Sequence, residues 1–344
     1  MLSLVATYHL IKRGKMEKTA SIEEVRAKVG NGKIFSGESS VNRAISKWHI
    51  LSPLFIALPY SQDFKPVMLV DGFKKSAFKF NKKKSQFIII YSIFATLVSL
   101  LLFTYTKNEK LLNLTLSGLI VTLYLTIDYI TISNNLQSLT DRNVFISNLS
   151  HRYKKHAAKW FFICLAIGLI QVFINYLAGG FEEAAYRYGG IYKLIMAGEW
   201  WRIITASFFH SGLTHWFSNL AFALLSGPLF IALVRRTGLF VFISGCITGA
   251  ISAYFLYFFG LTSADAYGGI SAGIYALLGY ITINSYKNKN IKTGNLHISI
   301  VNFLFMSTAL SALLSHSISN TAHISGFITG VLLAFLCKHR DKYK

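Results

Sequence analysis

Three short stretches of this 344-residue sequence carry residue types that can break an acyl bond. Ser271 stands in Tyr267-Gly268-Gly269-Ile270-Ser271-Ala272-Gly273, and His323 stands in Thr321-Ala322-His323-Ile324-Ser325-Gly326. His215 and Asn219 are four residues apart and so share one face of a helix. A serine hydroxyl becomes a nucleophile only beside a base, and a neutral histidine supplies one. The oxyanion that follows needs donors, which an Asn amide and an imidazole provide. Each stretch also has a plainer reading. Ser271 would sit in a small-residue helix contact with Gly269 and Gly273, His323 would be a hydrogen-bonded interfacial histidine, and His215 with Asn219 an interhelical pair. Beyond the first 85 residues the acids are Glu109, Asp128, Asp141, Glu182, Glu183, Glu199, Asp265 and Asp341. None lies at the level of Ser271, so the pattern reads as a Ser–His dyad and not a triad.

The elements that must position these residues are membrane helices. The chain is 53% hydrophobic and only 14% charged, with a net charge of +21 and a mean hydropathy of +0.46. That is too apolar for a soluble nucleic-acid binder and too hydrophobic for disorder. Cys164, Cys246 and Cys337 all fall in apolar stretches, against a disulfide framework or a zinc site; neither a metal nor a cofactor is expected. Hydropathy predicts eight spans, near 86–106, 111–133, 160–178, 213–234, 239–261, 267–286, 296–315 and 320–337. With the first 85 residues placed inside, 30 of the 35 Lys and Arg fall on inner segments, a positive-inside bias that puts both termini in the cytoplasm against anionic lipid. Spans four, six and eight then run inward, and Ser271, His323 and His215 lie within roughly 6 Å of one depth near the outer surface. A transporter would hold its ionisable groups at the midplane.

The remaining segments say less. Ser21-Ile22-Glu23-Glu24 reads as a capping box opening a short helix that Gly30-Asn31-Gly32 would stop. Trp48 to Tyr60 either lies on the membrane or packs within a small domain. Asp128, the one acid inside a span, either pairs with Arg142 or snorkels to water, and snorkelling is the simpler expectation.

Together these residues resemble the rhomboid family of intramembrane serine proteases. The nucleophile motif matches Gly269-Ile270-Ser271-Ala272, with Ala272 where its common form has Gly. The HxxxN motif matches His215 and Asn219, and AHxxGxxxG matches Ala322, His323, Gly326 and Gly330. The Trp-Arg pair of the long first loop matches Trp201-Arg202, and Tyr275 matches the aromatic that packs on the catalytic histidine. The resemblance covers residues 160–337. It implies an all-α membrane protein whose six-helix core has Ser271 as nucleophile and His323 as base, with His215, Asn219 and the backbone near Ser271 as the oxyanion site. Substrates would be single-pass transmembrane proteins cut near their outer end. It also implies a first loop, Gly179 to Arg202, half-buried in the outer leaflet, where Tyr186, Tyr188, Tyr192, Trp200 and Trp201 suit an interfacial position.

The expected organisation is a cytoplasmic region 1–85, two additional spans in 86–133, a basic cytoplasmic loop 134–159, the core 160–337 and a basic tail 338–344. Two departures stand out. Leu233-Val234-Arg235-Arg236 lacks the acid that many members carry before this basic pair, and His316 stands in the loop before the last span. A catalytically silent rhomboid-like protein that binds membrane clients is the alternative reading; such relatives usually lack the Ser or the His.

Overall fold

The computed structural model describes residues 24–29, 33–48, 54–152, 154–233, 237–287, 292–314 and 320–337. Gly30-Asn31-Gly32, Val234 to Arg236, His316 and the basic tail 338–344 lie outside these residues, as do the first three residues of the expected capping box.

The box predicts a short helix, but the chain after it forms a strand. β1 (Arg26–Val29) pairs antiparallel with β2 (Ile34–Ser36) on one side and β3 (Leu54–Ala57) on the other, and β4 (Lys65–Pro66) extends the sheet. Ala27 pairs with both Phe35 and Ile56. One face of α1 (Glu38–Lys47) buries Val41 and Ile45 against this sheet. The described residues of the Trp48–Tyr60 stretch favour the small domain: Trp48, Leu54 and Ile56 belong to its core. That core runs on into Ala77, Ile132 and Leu139, which seats the domain on the helices that follow.

α2 (Asp71–Thr106) starts well before its apolar part. Its 36 residues span about 54 Å, against about 30 Å for a bilayer core. The Lys-rich opening is helical because lysine is a good helix former, and Phe73, Ala77 and Phe78 tie it to the small domain. α3 (Glu109–Asp128) returns beside it, capped at its start by the Asn108 side chain accepting from the Lys110 N–H. The pair meets through small and polar residues: Thr115 donates to Ser99, and Ser92 and Thr122 share a 2.7 Å hydrogen bond. A π-helical turn (Tyr129–Ser133) ends α3.

The stretch expected as a basic loop is helical too, with α4 over Leu136–Arg152. It is followed by α5 (Lys154–Ala178), then α6 (Phe181–Tyr188), β5 (Gly190–Ile191), α7 (Tyr192–Met196) and α8 (Arg202–Thr205) in the long connection to α9 (Leu213–Leu233). α10 (Gly238–Phe258), β6 (Ala266–Tyr267), α11 (Ser271–Lys287), α12 (Leu296–Leu314) and α13 (Asn320–Leu336) complete the chain, with β6 paired to β5. Among the described residues, five helical segments are long and apolar enough to cross a membrane: 71–106, 109–133, 161–178, 238–258 and 296–313. α13 is a shorter apolar helix, and α11, at 17 residues, sits at the bundle centre.

α11 lies between α10 and α13 because all three present small residues. A Cβ added at Gly330 would stand 1.8 Å from the Ala276 carbonyl oxygen, and one at Gly326 2.2 Å from that of Ala272. On the other side Gly245 and Gly249 receive the methyls of Ala276 and Ala272. Hydroxyl pairs Thr248–Thr329 and Ser252–Ser325, each 2.8 Å, join α10 to α13.

Asp128 does not simply reach for water. It accepts from Ser299 of α12 at 3.4 Å, and the same hydroxyl accepts from the buried Arg142 at 3.3 Å. The guanidinium also caps the carbonyls of Thr293 and Gly294 at 2.9 and 2.6 Å. Burial draws the Arg142 pKa down to about 10, opposed by the charge of Asp128 and by Tyr124. This knot binds α3, α4 and the α11–α12 connection together.

Candidate active site

Ser271 opens α11, so its hydroxyl sits in the first helical turn, where backbone N–H groups lack intrahelical partners. The chain reaches it through Gly268 and Gly269. A Cβ on Gly268 would strike the Phe209 carbonyl at 2.6 Å. Gly269 has φ +111°, a conformation that side-chain-bearing residues rarely adopt, and its N–H donates to the Ala206 carbonyl. His323 is the fourth residue of α13, and its Nε2 lies 2.8 Å from Ser271 Oγ. The Tyr275 ring, one turn after Ser271, stacks on the imidazole with centroids 4.4 Å apart and planes within 4°.

The α9 residues arrive from the other side. A Cβ on Gly269 would lie 2.9 Å from His215 Nε2 and 3.6 Å from Asn219 Nδ2, so both side chains bear on the backbone leading into Ser271. His215 Nδ1 meets the Ser211 hydroxyl at 3.2 Å. When that hydroxyl donates, Nε2 carries the ring proton and becomes a donor. Asn219 is buried, and its Nδ2 has no hydrogen-bond partner among the described residues. A buried amide left unsatisfied is costly, so an acceptor is wanted there. All four side chains line one cavity of about 860 Å³, open on one side, with Ala253 and Tyr267 on other walls.

Trp201-Arg202 stands away from this cluster and organises the connection before α9. Arg202 is buried, donates to Glu199 at 2.9 Å and to the Gly189 carbonyl at 2.7 Å, and lies over the Trp201 ring. Of the five aromatics expected at an interface, Trp200, Trp201, Tyr186 and Tyr188 are exposed. Tyr192 departs from that expectation: it is buried against Tyr254 and Tyr257, where burial pushes its phenol pKa up. Gly326 contacts α11 at Ala272, one turn below the dyad. The Ala272 methyl is accommodated because α10 offers Gly249 opposite it.

The sequence reading missed His210 and Gln171. Gln171 of α5 accepts from the His210 N–H at 3.0 Å and donates to the His210 carbonyl at 2.9 Å. His210 then stands edge-on to His215, ring centroids 5.2 Å apart. Burial, aided by His215, draws the His210 pKa down to about 4, so it is neutral at physiological pH. The available signal was Gln171 itself, an amide inside a predicted span.

Residues 197–340 match the family model described as the rhomboid domain. The putative rhomboid protease YdcA of Bacillus subtilis is 32% identical over 152 residues, which cover 42% of this chain and 71% of the relative. This chain belongs to the rhomboid family. RHOMBOID-like protein 9, chloroplastic, of Arabidopsis thaliana is 32% identical over 148 residues, and the rhomboid protease GluP of Bacillus subtilis 30% over 180. The matched segment spans only about a third of each of those two relatives, 33% and 34% of their lengths. As a rhomboid with helices able to cross a bilayer, the chain is an integral multi-pass membrane protein of helical fold. The small N-terminal sheet, Arg26 to Pro66, lies outside the matched rhomboid domain.

Proposed function

We propose that this rhomboid is an intramembrane serine endopeptidase that cuts single-pass membrane proteins near the outer end of their transmembrane segment. The observation that carries the reading is the 2.8 Å contact between His323 Nε2 and Ser271 Oγ at the wall of an open cavity. Neutral His323 takes the Ser271 proton as Oγ attacks the scissile carbonyl carbon. The carbonyl oxygen, now negative, receives hydrogen bonds from Asn219 Nδ2, His215 Nε2 and the backbone N–H at the start of α11. His323 then returns the proton to the leaving amine. A water, deprotonated by the same imidazole, attacks the acyl-enzyme, and Ser271 leaves with that proton. No carboxylate takes part in this scheme; Tyr275 holds the imidazole plane from behind.

In this reading residues 160–337 form the protease core, 86–133 supply two additional spans, and 1–85 with 338–344 face the cytoplasm of a bacterial plasma membrane. Support for that orientation is the distribution of Lys and Arg, 30 of 35 on one side of eight spans. The test is cleavage of a model transmembrane substrate in proteoliposomes, together with labelling by a serine-reactive fluorophosphonate. Both are expected in the wild type and lost in Ser271→Ala and His323→Ala. Cleavage that persists in Ser271→Ala overturns the nucleophile assignment, and a wild type that neither labels nor cleaves supports client binding without proteolysis.

A further inference from the structure

The catalytic reading leaves out a pair of serines on α12. Ser307 and Ser311 are four residues apart, share one face, and line the same cavity as the dyad. Ser307 Oγ lies 2.7 Å from the Tyr275 hydroxyl. Ser307 also donates to the Leu304 carbonyl of its own helix at 3.0 Å. A serine has one proton to give. With that proton on Leu304, the Ser307 oxygen accepts, and Tyr275 is the donor. Tyr275 is buried, so its phenol needs this partner, and its ring is the one stacked on His323. One turn on, Ser311 meets the side chain of Asn320, the first residue of the helix that carries His323.

We infer that Ser307 is a positioning residue: through the Tyr275 hydroxyl it fixes the ring on which His323 stacks, and so couples the placement of α12 to the dyad. This rests on the protease reading above. The coupling matters because α12 is anchored elsewhere at its other end. Asn302 donates to the Tyr124 carbonyl at 3.0 Å, Asn295 to the Thr131 carbonyl at 3.1 Å, and Ser299 to Asp128, all of them contacts with α3 or its π turn. Helices outside the matched rhomboid domain thus set the inner half of α12, and Ser307 passes that setting to the catalytic histidine.

The experiment uses the full chain with Ser307→Ala, Ser307→Thr, Tyr275→Phe and the Ser307→Ala/Tyr275→Phe double variant. Three quantities are read: kcat and KM on a model transmembrane substrate, and the His323 ring-proton resonance, identified by its absence in His323→Ala. We expect kcat to fall about ten-fold in Ser307→Ala with KM unchanged, within the hundred-fold that a misplacement of about 1 Å can cost. Tyr275→Phe should match it, the double variant should lose no more, and Ser307→Thr, which keeps the hydroxyl, should recover most of the rate. The His323 resonance, shielded by the stacked ring, should shift in the same direction in Ser307→Ala and Tyr275→Phe. An unchanged resonance and kcat in Ser307→Ala, additive losses, or a change confined to KM would overturn the assignment. The resonance needs no turnover, so it judges the Ser307 link even if Ser271→Ala shows that the protease reading has failed.

Discussion

Helix α11 and the α2–α3 pair both sit among apolar helices, yet they hide different side chains. α11 buries 14 of its 17 residues, from Ser271 to Ser285, including Ile274, Leu277 and Ile281. α2 buries only Ala77, Asn81, Thr96 and Ser99, and α3 only Thr115. Large side chains on α2 such as Phe87, Phe94 and Leu101 are exposed, each by more than 60%. In water that surface would be untenable; in lipid there is no hydrophobic drive to cover it, and helices associate through small residues and interhelical hydrogen bonds. Both regions obey that rule at their contacts. They differ in what stands behind the small residues. Where α13 meets α11 it is backbone, the Ala272 and Ala276 carbonyls of α11 behind Gly326 and Gly330, and at α2–α3 it is the single side chain of Thr96 behind Gly118.

Four measurements break or sharpen this contrast. The largest effect belongs to α11: Ser271→Ala should cut cleavage by roughly a thousand-fold or more, and Asn219→Ala beside it by about a hundred-fold in kcat, with thermal stability near wild type in both. Equal activity in either variant would remove the chemistry from this end of the bundle. Next come the glycines. Gly330→Ala drives a methyl into the Ala276 carbonyl and should cost about 3 kcal/mol of unfolding free energy. Gly118→Ala meets the Thr96 hydroxyl, which can rotate aside only by giving up its bond to the Ser92 carbonyl, and should cost about 1 kcal/mol. Similar losses at the two glycines would dissolve the distinction between backbone and side-chain backing.

Acid offers a gentler probe. The His210 pKa is about 4 in the fold against 6.5 for a free histidine. Between those values the unfolded chain binds more protons, so this contribution is complete above pH 6.5 and declines as pH falls toward 4. The melting temperature should drop over that window, and His210→Gln should flatten the drop; an unchanged slope would mean that His210 is not held neutral. The smallest effect is expected at Thr115→Val in the α2–α3 seam, about 0.6 kcal/mol, the average for an interhelical hydrogen bond in a membrane. A loss of several kcal/mol there would show that the seam is as intolerant of change as the α11 contacts.

Much of this was legible because membrane helices announce themselves by long apolar runs and motif residues by short spacing. His215 and Asn219 share a face at any helix start, and Gly326 and Gly330 mark a close contact whatever the partner. Legibility failed where the signal was local or long-range in other ways. The start of α2 at Asp71 was invisible to hydropathy, since its lysines are good helix formers but not apolar. The strand Arg26–Val29 follows a stretch that also fits a helix cap, and only pairing with Leu54–Ala57 decides between them. Gln171 and His210 lie 39 residues apart, Arg142 and Thr293 lie 151 apart, and no periodicity relates such positions.

By itself, then, the sequence determined the solvent and the inventory: apolar helices for a bilayer, a basic bias across them, and a serine, two histidines and an asparagine at helix starts. Those follow from residue type and spacing, which transfer energies and helix geometry act on directly. Tertiary structure decided which hydroxyl the imidazole meets, that Asn219 is left with an unfilled donor, and that Ser307 reaches Tyr275. Such contacts depend on how helices distant in sequence cross, and crossing is set by which small residues let two backbones approach.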